Sequence, residues 1–124
     1  MKDKLVASIA RMVFALVIGF FALNHILHAE MMVGAVPSFL PAPIIWVYIV
    51  GAALGLLALS LLIGVKVRLT GYLLGLLLLI ILCSVHLPNF IKATEISQKM
   101  STTTNLLKDL AMSAAAFYIG SKHK

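Results

Sequence analysis

The segment that most constrains this chain is PIIWVYIVGAALGLLALSLLI, Pro43 to Ile63, which contains no Asp, Glu, Lys or Arg. A bilayer core about 30 Å thick is crossed by about 20 helical residues, so this run alone calls for a membrane helix. Three further segments read the same way. The first runs from about Lys4 to His28, interrupted after Lys4 only by Arg11. The third runs from about Val67 to Val85 and is uncharged after Arg68. The fourth runs from about Ser101 to Gly120 and holds Lys108 and Asp109 within it. The expected fold is an all-α integral membrane protein, a single domain over residues 1–124 with four transmembrane helices (4–28, 43–63, 67–85 and 101–120) in an antiparallel bundle.

Composition agrees. Hydrophobic residues make up 62% of the chain and charged ones 11%, whereas a soluble domain carries about a quarter charged residues. The MKDK start followed by apolar residues also has the outline of a signal peptide, with Leu27-His28-Ala29 as a cleavage site. Arg11 and the length of the apolar stretch favour an uncleaved first helix. The single cysteine, Cys83, lies in an apolar run, can form no intrachain disulfide, and reads as a small core residue.

The net charge of +6 would suggest nucleic acid in a soluble protein. Here Lys2, Lys4, Lys66, Arg68, Lys122 and Lys124 fall on one side of the four spans, and only Lys92 and Lys99 fall clearly on the other. Topology explains the charge, and no nucleic-acid partner is expected. The positive-inside rule places both termini and the short turn Gly64-Val65-Lys66 in the cytoplasm. The apolar loop AEMMVGAVPSFLPAP then faces outward, with Pro37 and Pro41 breaking helix and Pro43 suited to a first turn. The polar loop HLPNFIKATEISQKMSTTT lies on the same side, its Ser/Thr run supplying caps for the fourth helix.

Small residues indicate how the helices associate. Gly51 and Gly55 in the second span, Gly71 and Gly75 in the third, and Ala111 and Ala115 in the fourth share a spacing that lets backbones approach closely. These faces serve packing within the bundle or a homo-oligomer.

Ionisable groups inside a membrane are costly and default to functional candidates. At about 1.5 Å per residue, Arg11 lies about 10 Å in from the cytoplasmic face and Asp109 about 12 Å in from the outer face. About 8 Å of the core then separates them, and an Arg11–Asp109 ion pair between the first and fourth helices is expected. The alternative is an Arg11 that snorkels to the cytoplasmic headgroups.

At the outer edge, NHILHAE places His25 and His28 three apart, on neighbouring positions of one helical face. His86 closes the third span at the same level, with Cys83 nearby. Glu30, Asn89, Asn105, Lys108 and Asp109 lie in the segments around it. Together they form a candidate outer pocket that admits three chemistries. A metal would take His25, His28 and His86. A haem would take two histidines on facing helices. A quinone or similar redox headgroup would be hydrogen-bonded by His28, His86, Asn105, Lys108 and Asp109. The remaining reading is structural: amphipathic side chains capping helices at an interface.

These residues carry a resemblance to a known family. Arg11 and the histidine closing helix one, the VPSFLPAP loop leading into YIVGAALGLLALSLL, the basic turn with Arg68, HLPNF, and NLLKDLAMSAAA together resemble the DoxX family of small bacterial and archaeal membrane proteins. The resemblance implies a four-helix bundle in the bacterial inner membrane and an association with redox chemistry, since the family is named for subunits of thiosulfate:quinone oxidoreductase. By position it implies roles for Arg11, His28, His86, Lys108 and Asp109. Members often carry a glutamate shortly after the glycine matching Gly51, where this chain has Ala52-Ala53-Leu54. The function this implies is an accessory or small subunit of a redox or quinone-linked membrane system. The rival reading is a structural or assembly subunit of a larger complex. A carrier ranks behind both, because no broken or repeated helices are evident.

Overall fold

The computed structural model of the chain describes residues 2–123. Six α-helices follow in order: α1 (Lys2–Leu27), a short α2 (Ala29–Met32) running into a 3-10 turn (Val33–Ala35), α3 (Pro43–Ile63), α4 (Val67–Ile81), α5 (Leu87–Lys92) and α6 (Ile96–Ser121). A π-helical segment, Leu82–His86, joins α4 to α5 without a break. Three helices are long and apolar enough to cross a membrane: Lys2–Leu27, Pro43–Ile63 and the continuous Val67–Lys92.

Two helix pairs make up the molecule, α1 on α3 and α4 on α6, joined less extensively between α3 and α4. In the first pair, Ala15, Ile18 and Ala22 of α1 meet Leu54, Ala58 and Leu61 of α3 in the buried core. A Cβ on Gly51 would lie 2.8 Å from the Cβ of His25, so the backbones are closest there. Gly55 is looser, its nearest neighbour at 3.8 Å being the Ala22 Cβ. In the second pair the approach is closer. A Cβ on Gly71 would lie 2.6 Å from Gly120 Cα, and one on Gly75 would lie 2.7 Å from the Phe117 ring. The interface stripe on α6 is Asp109, Ser113, Ala116 and Gly120, at spacings of four, three and four that keep one helical face. The expected stripe of Ala111 and Ala115 is displaced: Ala111 is exposed and Ala115 half-buried.

The α3–α4 turn is tight because Gly64 and Lys66 both adopt positive φ, 78° and 50°. Gly64 supplies that conformation without steric cost. The Ser60 and Thr70 hydroxyls bond across the turn at 2.7 Å. Pro43 opens α3, and the Trp46 indole donates to the Pro41 carbonyl at 2.9 Å, fixing the loop onto the helix.

Two boundaries differ from the sequence expectation. The third helix does not stop near Val85, and the polar loop after it shrinks to residues 93–95. Pro88 explains the detour: it has no N–H for the Ser84 carbonyl and its ring crowds that carbonyl. The chain widens into a π turn ahead of the proline, with the Leu87 N–H bonded to the Leu82 carbonyl. The fourth helix starts at Ile96, so the Ser/Thr run lies inside it. Thr102 and Thr104 donate back to the Gln98 and Met100 carbonyls at 2.8 and 2.9 Å instead of capping an end.

Candidate functional site

Asp109 is the one charged residue buried among the described residues, at 4% exposure. Its burial follows from its stripe. Ser113, one turn further along, donates to the Gly75 carbonyl at 2.8 Å, and Gly120 rests on Gly71. A helix held this close to α4 turns Asp109 inward. His86 Nε2 lies 3.0 Å from the Asp109 Oδ2 carboxylate oxygen, a charge-pair contact across helices. Lys108 Nζ stands 4.0 Å from Oδ1, a neighbouring charge and not a hydrogen bond. The same ammonium lies 4.5 Å from the centroid of the Phe21 ring on α1, a cation–π contact that reaches between the two helix pairs.

The π turn aims His86. At about 100° per residue, eight residues of regular helix beyond buried Leu78 would leave His86 about 80° off the buried face of α4. A π turn absorbs one extra residue, which reduces the offset to about 20°. The distortion that Pro88 imposes therefore brings the imidazole round to Asp109. His86 Nδ1 makes no hydrogen bond among the described residues.

The expected Arg11–Asp109 pair does not form. Helices α1 and α3 run antiparallel with His25 beside Gly51, Ala22 beside Gly55 and Gly19 beside Ala58, and this register carries Arg11 to the level of Gly64. The Arg11 guanidinium lies against that glycine, with NH2 at 3.2 Å from a Cβ placed there. Phe21, where Lys108 reaches α1, is ten residues or about 15 Å of helix away, beyond the span of an arginine side chain. Residues 2–7 of α1 are all exposed and extend past the α3–α4 turn, so Arg11 lies nearer the end of the span than a start at Lys4 would place it.

The three histidines do not converge. His25 packs against Gly51, and its Nδ1 lies 2.7 Å from the Phe21 carbonyl. His28 is exposed and leaves the helix, with φ −122° and ψ 32°, so the i,i+3 geometry with His25 is lost. Among the described residues no three His, Cys, Asp or Glu side chains stand close enough to share a metal ion. His28 instead lines a shallow cavity of about 290 Å³ with Glu30, Met31 and Tyr48. A second cavity, about 330 Å³, is lined by Asn89, Lys92, Gln98, Ser101 and Thr102 at the α5–α6 elbow. Neither includes the His86–Asp109 pair, so the single outer pocket of the sequence reading divides into three places. Asn105 is half-buried one turn before Asp109, and Cys83 is exposed, away from the core position expected of it.

Phe21, Ser113, Gly120 and Pro88 were not singled out from sequence. The four-three-four spacing from Asp109 to Gly120 was the available signal for α6, and the proline in HLPNF was the signal for the π turn. No family model, curated protein or solved structure matches this chain.

Proposed function

We propose that the protein is a DoxX-like small subunit of a quinone-linked redox system in the bacterial inner membrane. In this reading it has four spans and both termini in the cytoplasm, and the His86–Asp109 pair hydrogen-bonds a polar redox headgroup near the outer membrane edge. The observation that carries the reading is the buried carboxylate paired with an imidazole inside an apolar bundle. Such a pair is a poor source of stability, because desolvation offsets the attraction, and within a membrane it marks a functional position. Asp109 fixes the orientation of the ring, leaving Nδ1 to accept from a quinol hydroxyl, with Lys108 beside it for a carbonyl oxygen. A fourth span is supported by the packing of α6 along α4, with its polar residues Asp109 and Ser113 turned inward. An even number of crossings then agrees with the basic residues at both termini and the turn.

The test is thermal unfolding in detergent with and without a short-chain quinone. A ligand that binds only the folded state raises the melting temperature by mass action. The expected result is a quinone-dependent rise that His86→Ala and Asp109→Asn both abolish. A melting temperature indifferent to quinone at saturating concentration refutes the reading. One observation favours the assembly role instead: Met31 and Phe39, outside the spanning helices, are 83% and 81% exposed. On that reading Phe39→Ala releases a co-purifying membrane partner and His86→Ala changes nothing.

A further inference from the structure

Arg11, a second ionisable side chain within an apolar span, has a different setting. It is held against the C-terminal end of α3 at Gly64, and its Nε is fully enclosed with no hydrogen-bond partner. The guanidinium forms no ion pair and no hydrogen bond among the described residues. Of the chain's four acidic side chains, Glu30, Glu95 and Asp109 belong to the opposite end of the molecule. Asp3 belongs to this end and pairs with nothing among the described residues. Lys66, exposed and two residues beyond Gly64, shares the turn that Arg11 touches. Lys4 stands two helical turns further out on the same stripe of α1.

We propose that Arg11, against Gly64, and Lys66, on the same α3–α4 turn, bind the phosphate of an anionic headgroup. With Nε enclosed, the side chain is fixed and presents only its two terminal nitrogens, a fork that matches two phosphate oxygens. Membrane-edge pockets of this sign, between helices on the basic side, are where anionic lipid headgroups bind. Gly64 is required twice over: its φ of 78° favours glycine, and a Cβ would occupy the space against the guanidinium. The rival role for Arg11 is to offset the negative end of the α3 dipole. It makes no bond to the α3 carbonyls, however, and the N–H groups of Gly64 and Val65 already satisfy the Ser60 carbonyl.

Native mass spectrometry and thermal unfolding of the full chain in detergent test the site. The probes are phosphatidylglycerol, phosphatidylcholine at the same concentration, and inorganic phosphate. The expected result is a retained phosphatidylglycerol adduct and a raised melting temperature, neither given by phosphatidylcholine. Arg11→Gln should weaken that binding about tenfold or more, as expected for loss of a charge-assisted bond. Lys66→Gln, at an exposed position that leaves folding intact, should weaken it by a smaller factor. Inorganic phosphate reproducing the whole shift would keep the anion site and assign it to the free ion. Equal stabilisation by phosphatidylcholine would overturn the proposal. So would an unchanged phosphatidylglycerol effect in Lys66→Gln together with an Arg11→Gln variant that merely melts lower in every lipid, which leaves a helix-capping charge alone. These outcomes are independent of any quinone response at His86.

Discussion

Arg11 and Asp109 are each an ionisable side chain within an apolar stretch of helix, and the structure treats them in opposite ways. Asp109 is drawn inside and given partners from its own chain, His86 across the helix pair and Lys108 beside it. Arg11 is held at the edge by the α1–α3 register and given none. The difference comes from how each helix is seated. α6 lies on α4 through Gly71, Gly75 and Gly120, close enough that a residue on its stripe has no route to the lipid. α1 overhangs the turn at the other end, so its arginine sits beside Gly64 at the end of α3, away from the packed core. Burial of a charge here is decided by the closeness of the neighbouring backbone, and the side chain's own reach matters less.

That contrast can be broken at its base. Gly71→Ala puts a Cβ into the Gly120 backbone, which cannot move as a side chain would. We expect a loss of about 2–3 kcal/mol in detergent unfolding, with separation of α4 from α6. If Gly71→Ala melts like the parent, the close seating does not hold Asp109. The next effect in size is at the pair itself. Asp109→Asn should cost about 1–2 kcal/mol, and a double-mutant cycle with His86→Ala should return a coupling of about 1 kcal/mol. A coupling near zero would mean the 3.0 Å contact contributes no net attraction. The smallest effect sharpens the comparison between the two helix pairs. Gly55→Ala meets only the Ala22 Cβ at 3.8 Å, and we expect a change within about 0.5 kcal/mol. A large loss there would show that α1 and α3 are seated as tightly as α4 and α6.

The spans over residues 43–63 and the turn after them were legible because length and lack of charge suffice to define an apolar helix, and Gly64 marks its end. Pro43 at the helix start was legible for the same local reason. The fate of the polar residues was not. His25 and His28 share a face only while the helix continues, and it ends at Leu27. Thr102 and Thr104 resemble caps in isolation, yet each bonds back into a helix that began earlier. Arg11 and Asp109 came within reach of each other only if the span starts at Lys4, and nothing local to α1 shows where the turn of α3 will meet it.

Sequence by itself determined that the chain is helical and apolar, where α3 begins and ends, and which residues are too costly to leave unpartnered. Tertiary structure alone decided the partners. His86 meets Asp109 because Pro88 forces a π turn whose extra residue rotates the imidazole onto the α6 face, an angular offset that periodicity cannot foresee. Hydropathy depends on residue identity and can be summed along a chain. Which two polar groups meet depends on the register and rotation of helices, and those are set by contacts between residues far apart in sequence.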